Sequence, residues 1–177
     1  GSTSGFQETM SFQYEHFFKE NRDHFQMSVL IGNRLCTHAG VGNDFLKSVG
    51  FWKMDSADES IIADYLNDLF HYKPNEFTFD GGYDRNNTGV IPSYYGDDDW
   101  QSPIWIRPKS LQRVNKKTDL KKNYIQIVGH TQQDHIDIKG KTTGGKYYYI
   151  DTLPSGEYLI DVDGEFEIGY ATIVKYT

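Results

Sequence analysis

Two short stretches of this sequence put a histidine where chemistry is easily done: "LCTHAGV" carries His38 and "QIVGHTQ" carries His130. In each, an apolar run of β-forming residues gives way to the histidine beside Ala-Gly or Gly, so little side-chain bulk surrounds the ring. A residue just past the carboxyl end of a strand lies where open α/β sheets place their ligands. An imidazole there can ligate a metal, move a proton, or simply close a strand end as an ordinary hydrogen-bonded residue. The two contexts match although the residues are 92 positions apart, and a ligand or metal could approach both rings closely. Metals usually take three or four protein ligands, so two histidines are only part of a site.

Arg107 is the third candidate, in "SPIWIRPKSL". Pro103, Ile104, Trp105 and Ile106 precede it and would hold its backbone in place. A planar guanidinium so presented suits two-point binding of phosphate. The plain alternative is a surface arginine stacked on Trp105. His16, His24, His71 and His135 lack the strand-end context, and His16 and His24 fall on the polar side of a helix. "GDDDW" invites a calcium reading, but three consecutive aspartates lack the alternate spacing of an EF-hand loop, and a solvated loop is expected.

The elements that must position these residues follow from periodicity. Met10, Tyr14, Phe17, Phe18 and Phe25 recur at helical spacing, which predicts an amphipathic helix over 9–24. Residues 27–31 and 34–37 read as strands joined by Gly32-Asn33, a hairpin turn. Ser56-Ala57-Asp58-Glu59 fits a capping box ahead of an apolar stripe of Ile61, Ile62, Tyr65, Leu66, Leu69 and Phe70. Residues 72–102 carry no periodicity and read as a long loop. Strands are expected over 124–128, 134–139, 146–151, 157–162 and 165–175, with turns at Gly144-Gly145, Ser155-Gly156 and Asp163-Gly164. Helices first and mostly hairpin-linked strands after give an α+β, mixed layered arrangement in a single domain over 1–177.

Composition narrows the function. The 177 residues are 37% hydrophobic and 24% charged, a globular balance with room for a core. A net charge of -7 argues against a nonspecific nucleic-acid binder, though not against a phosphate-handling enzyme whose metals supply positive charge. Cys36 is the only cysteine, so no intrachain disulfide forms and a reducing, cytoplasmic setting is expected. No apolar run approaches the ~18 residues of a membrane span, and no signal peptide opens the chain.

Taken in order, "THAGV", "SPIWIRP", "VGHT" and "YYIDTLPSGEYLIDVDGEF" resemble the calcineurin-like metallophosphoesterases. The likeness is to the branch of phosphoprotein phosphatases and symmetrical diadenosine tetraphosphatases, including bacterial and phage members. "SGFQETMSFQYEHFFKENRDHF" is similar to the helix these enzymes carry before their "HAG" strand. The resemblance implies a partial metallophosphoesterase β-sandwich flanked by helices, about the carboxyl-terminal two-thirds of such a domain. It implies that His38 and His130 ligate the second metal of a dinuclear site and that Arg107 contacts the substrate phosphoryl group. Asp151 then matches a structural aspartate, and Gln132 replaces the second histidine of the "GHTH" branch. The ions would be Mn, with Fe or Zn as alternatives, and the substrate a phosphorylated protein or nucleotide.

The family's "GDxHG", "GDxxDRG" and "GNHD" or "GNHE" motifs are absent. "NRDHF" at 21–25 is superficially similar to the third but lies within the predicted helix. The resemblance therefore implies that the 177 residues alone bind at most one ion weakly and are catalytically silent. A non-catalytic alternative is an aromatic-rich domain that binds a protein or glycan through Tyr83, Tyr94, Tyr95 and Trp100.

Overall fold

Gly32 adopts a φ of 60°, the left-handed geometry a two-residue hairpin turn requires, and it joins β1 (Ser28–Ile31) to β2 (Arg34–Thr37). Around this hairpin the computed structural model describes residues 8–51, 58–77, 98–117, 125–138 and 146–172. β3 (Ile125–Val128) and β4 (Tyr147–Tyr149) extend the sheet in the order β1-β2-β3-β4. β1 pairs antiparallel with β2, but β3 runs parallel to both β2 and β4. The hairpin-linked series expected from Tyr124 onward is thus corrected at β3 and β4, since parallel neighbours need a crossover. β5 (Glu157–Val162) and β6 (Glu165–Tyr170) form a separate antiparallel hairpin. The architecture is α+β with a mixed sheet.

One sheet face is packed. Leu35, Thr37, Gln126, Val128 and Tyr147 are buried on it, beneath α2 (Asn43–Ser48), α3 (Glu59–Tyr72) and α4 (Pro108–Lys117). Leu35 joins Phe45, Leu46, Ile62 and Leu66 in one apolar cluster, while Val128 and Tyr147 join Ile106 and Leu111 in another. α3 starts where the Asp58 carboxylate accepts from the amides of Ser60 and Ile61. The cap is therefore Asp58 rather than Ser56, and Ser56 lies outside the described residues. Its buried stripe is Ile62, Ala63, Leu66 and Leu69, whereas Ile61 faces solvent. Asn67 of α3 pins β1, its Oδ1 accepting from the amides of Met27 and Ser28 and its Nδ2 donating to the Ser28 carbonyl.

The other face is more open. Val29, Ile31 and Ile150 are exposed there, and with Cys36 and Ile127 they line a shallow groove of about 480 Å³ that ends at His38. The β5–β6 hairpin clasps this side. Arg34 bonds Asp161 at 2.8 Å and the Gly164 carbonyl, and it stacks 4.1 Å from the Phe166 ring centre, while Phe166 meets Tyr148 at 4.5 Å.

Three sequence expectations give way. The helix predicted over 9–24 is α1 (Ser11–Glu20) between short 3₁₀ turns, and none of its residues is buried. Phe17, Phe18 and Phe25 pack on one another at 5.1–6.2 Å instead of entering a core. Residues 134–138 form no strand, because the Ile136 amide donates to the Glu157 carboxylate rather than to a ladder. α2 and α4 stand where no helix was expected. The expected turn Gly144-Gly145, the strand ends at 139 and 173–175, and 78–97 of the long loop lie outside the described residues. Among those described, no helix is long and apolar enough to cross a membrane.

The loop after β2 is held by buried polar groups. Gln126 Oε1 accepts from the Val41 amide at 2.8 Å and its Nε2 donates to the Val41 carbonyl at 3.1 Å, as a neighbouring strand would. Asn115 also donates to Val41 O, accepts from the Asn43 amide and donates to the Tyr147 hydroxyl. Gly40, at φ 103°, lets the chain pass so close that a Cβ would sit 2.3 Å from Leu111 Cδ2. Gln126→Leu keeps the volume and strands the Val41 amide, so it should destabilise the protein by about 1–3 kcal/mol. Urea unfolding checks this by a lowered midpoint at unchanged slope.

Candidate active site at the ends of two parallel strands

His38 directly follows β2, and His130 stands two residues past the end of β3. The register sets Thr37 opposite Val128, so the two strands end level, and the Gly129 amide extends the ladder by donating to the His38 carbonyl at 2.9 Å. His130 then takes a φ of 65° while the Thr131 amide donates to the Gly129 carbonyl at 2.7 Å. A three-residue turn with positive φ is strained for a residue bearing a Cβ, and such strain gathers at functional sites. The turn brings His130 Nδ1 to 3.1 Å from His38 Nε2, with ring centres 4.8 Å apart and planes inclined at 57°.

The third candidate arrives from another segment. The amides of Trp105 and Ile106 both donate to the Ser102 carbonyl, and the Pro103 carbonyl accepts from the Ala39 amide. This turn is thereby tied to the loop that carries His38. Trp105 lies between the other groups, its ring centre 5.2 Å from that of His130 and 5.4 Å from Arg107 Cζ. Arg107 immediately precedes α4, accepts a hydrogen bond from the Leu111 amide, and donates from Nη1 to Thr131 Oγ1 at 3.2 Å. A tight turn running into a helix holds its backbone. Pro108 suits that junction, since the first helical amide has no intrahelical acceptor. His38, His130 and Arg107 therefore share one mouth. Thr131 carried no signal in the sequence beyond its place next to His130.

Burial favours the neutral form of both rings. Burial is the main cause holding His130 down at about 4, followed by the charges of Arg107 and His38, with Asp151 opposing them. His38 is lowered too, by crowding of its ring first, again against the pull of Asp151. Neutral imidazoles present lone pairs, as metal ligation requires. The 3.1 Å between the facing nitrogens is shorter than two metal–nitrogen bonds of ~2.1 Å, so a single ion reaches both. His130 Nε2 is buried without a well-formed hydrogen bond, its nearest help being the Trp105 backbone. Among the described residues no third His, Cys, Asp or Glu completes a metal-binding cluster. The pair fits a metal as part of a ligand set.

The remaining groups are engaged elsewhere. Asp151 acts through its charge, and its carbonyl accepts from the Gln133 amide at 2.8 Å. His135 bonds Glu157 at 2.8 Å, His16 faces Glu20 at 3.2 Å and His71 faces Asp23 at 3.8 Å. Of the aromatic contact set, Tyr83, Tyr94 and Tyr95 lie outside the described residues, and Trp100 is half-buried.

No protein-family profile matches the chain. No curated protein matches it either. Two solved structures do: a point mutant of a cold-active protein tyrosine phosphatase, with a TM-score of 0.43 and 16% identity, and the cold-active protein-tyrosine phosphatase of a psychrophilic Shewanella sp., with 0.41 and 15%. Each match covers 82% of this chain and 40% of that one, so the chain spans less than half the length of the structures it matches. Scores this low leave the functional argument to the site.

The His130 environment has a consequence for stability in protein freed of metal by chelation. The folded-state value of about 4 lies below the ordinary 6.5, so the unfolded chain binds more protons between those two values. Stability therefore rises with pH across that window and falls as pH drops through it. Urea midpoints followed from pH 4 to neutrality should show a shallower dependence in His130→Gln than in the parent protein.

Proposed function

We propose that this chain carries part of the active site of a metal-dependent phosphoesterase of the phosphoprotein phosphatase type, acting on a phosphorylated protein or nucleotide. The observation that carries the reading is the convergence of two neutral imidazoles 3.1 Å apart at the mouth that also holds Arg107. The resemblance of "THAGV", "SPIWIRP" and "VGHT" to metallophosphoesterase motifs supports the same assignment residue by residue.

His38 and His130 would hold a divalent ion through Nε2 and Nδ1. Manganese is the proposed ion, with iron or zinc as alternatives, since imidazole favours transition metals over Mg²⁺. When bound, the ion supplies Lewis acidity toward a phosphoryl oxygen and toward water. Arg107 binds the non-bridging phosphoryl oxygens and offsets the charge that builds on them, a role its planar fork performs at two points. Trp105 packs beside both His130 and Arg107 and limits their movement. Asp151 tempers the positive field of the mouth by its charge on both histidines. Two imidazoles and an arginine do not make a dinuclear centre, and further ligands must come from groups outside this cluster.

Titration calorimetry with Mn²⁺ tests the assignment. The chain should take up one ion weakly, and His38→Ala or His130→Ala should each weaken that binding by at least the ~10–100-fold that loss of even a supporting metal-site group costs. Assayed with p-nitrophenyl phosphate and excess Mn²⁺, the 177-residue protein should show no turnover. Mn²⁺ uptake unchanged in both variants would overturn the metal role, and Mn²⁺-dependent turnover abolished by His130→Ala would show that the site is more complete than proposed.

A further inference from the structure

The strained turn at His130 positions two side chains. Its central residue presents an imidazole to His38, and the next residue presents a hydroxyl to Arg107. The Thr131 amide closes the turn on the Gly129 carbonyl at 2.7 Å, so Thr131 Oγ1 is fixed by the same backbone that fixes His130. From there it accepts from Arg107 Nη1 at 3.2 Å, while the Trp105 ring lies 5.4 Å from Arg107 Cζ. A hydroxyl at one end and an aromatic face beside the plane restrain a guanidinium in different ways. The hydrogen bond stops rotation about the long axis of the group, and the ring limits tilt. Arginine otherwise carries the largest rotamer entropy of the side chains, and binding an oxyanion with a loose guanidinium means freezing it.

We propose that Thr131 is a positioning residue for Arg107, orienting the guanidinium toward a phosphoryl group bound at the His38–His130 mouth. The inference rests on the phosphoesterase reading for the identity of the ligand, but not for the restraint on Arg107. Arg107 directly precedes α4 and its guanidinium bonds Thr131 of the loop after β3, so the arginine is held from two chain segments that meet only in the folded protein. The hydroxyl is the active feature, which makes serine an adequate replacement and valine, of similar shape, an inadequate one.

The test uses the whole 177-residue chain as parent, Thr131→Val, Thr131→Ser and Arg107→Ala. Two quantities are read: ¹⁵N relaxation at Arg107 Nε, and the affinity for inorganic phosphate followed by the Arg107 Nε–H shift. The parent and Thr131→Ser should show an ordered Nε and equal affinity. In Thr131→Val the order parameter should fall below ~0.6, the range of flexible groups, and phosphate affinity should weaken roughly three- to tenfold, the cost of refreezing one side chain. A native amide spectrum in Thr131→Val establishes that the fold is retained; if that variant does not fold, Thr131→Ala takes its place. Unchanged order in the variant overturns the proposal, as does lost order with unchanged affinity. Equal damage from serine also overturns it, because the hydroxyl would not be the cause. If the parent shows no phosphate-dependent shift that Arg107→Ala removes, the phosphoesterase reading fails, and the order parameters alone decide whether Thr131 holds Arg107.

Discussion

Parallel pairing of β2 with β3 is the constraint on which the rest of the site depends. Its register, Thr37 opposite Val128, ends the two strands at one level and places residues 92 apart in sequence side by side. Had β3 paired antiparallel with β2, His38 and His130 would lie at opposite ends of the sheet. The amide of Gly129 takes the ladder one step further by bonding the His38 carbonyl, which fixes the main chain on both sides of the gap. Only after that bond does the chain turn sharply, and there His130, a residue with a Cβ, is held at positive φ. The strain at His130 thus falls between ladder on one side and hydrogen-bonded loop on the other.

The chemistry follows from what this geometry does to charge. A protonated imidazole at either position would face a second ring 3.1 Å away and, at His130, a guanidinium as well. Burial and those neighbours together favour the neutral form, with Asp151 as the counterweight. Neutral rings with facing nitrogens are poor acids and good ligands. A fixed cation beside them suits an anionic ligand, and the three features together fit the proposed binding of metal and phosphate. The same mouth would serve poorly for general acid catalysis by His130, because a group that titrates at about 4 holds almost no proton near neutrality.

Much of this was legible in the sequence where local chemistry decides the outcome. Gly32-Asn33 announced the hairpin, and the α3 stripe announced a buried helix, because turn geometry and a long apolar period act within a few residues. The site histidines were legible for the same reason: each stands where an apolar run stops beside glycine. What could not be read was governed by distant partners. β3 has the same apolar look whether its neighbour runs parallel or antiparallel. α4 buries only Leu111 and Val114 of its apolar residues, too short a stripe to stand out among lysines and polar groups. Ile136 and Ile138 alternate as a strand would, yet a carboxylate 21 positions away takes the Ile136 amide. α1 shows the reverse failure, a clear stripe of aromatics that finds no core among the described residues.

The loop between His38 and α2 shows how polar groups deep in the core serve the site as well as stability. Gln126 and Asn115 are drawn out of water; Gln126 recovers hydrogen bonds by holding Val41, and Asn115 by holding Val41, Asn43 and the Tyr147 hydroxyl. Apolar residues in their places would fill the same volume but leave the Val41 amide unpaired and the loop free to choose its path, and Gly40 would then have no fixed approach to Leu111. Because the Ala39 amide also bonds the Pro103 carbonyl, any path taken by this loop is transmitted to the turn that carries Trp105 and Arg107. The arginine and the histidines are therefore held by one hydrogen-bonded frame that runs through Val41, Ala39 and Pro103. A network of that kind is worth its desolvation only when every member is satisfied, and here the benefit falls on the relative placement of three side chains from three separate segments.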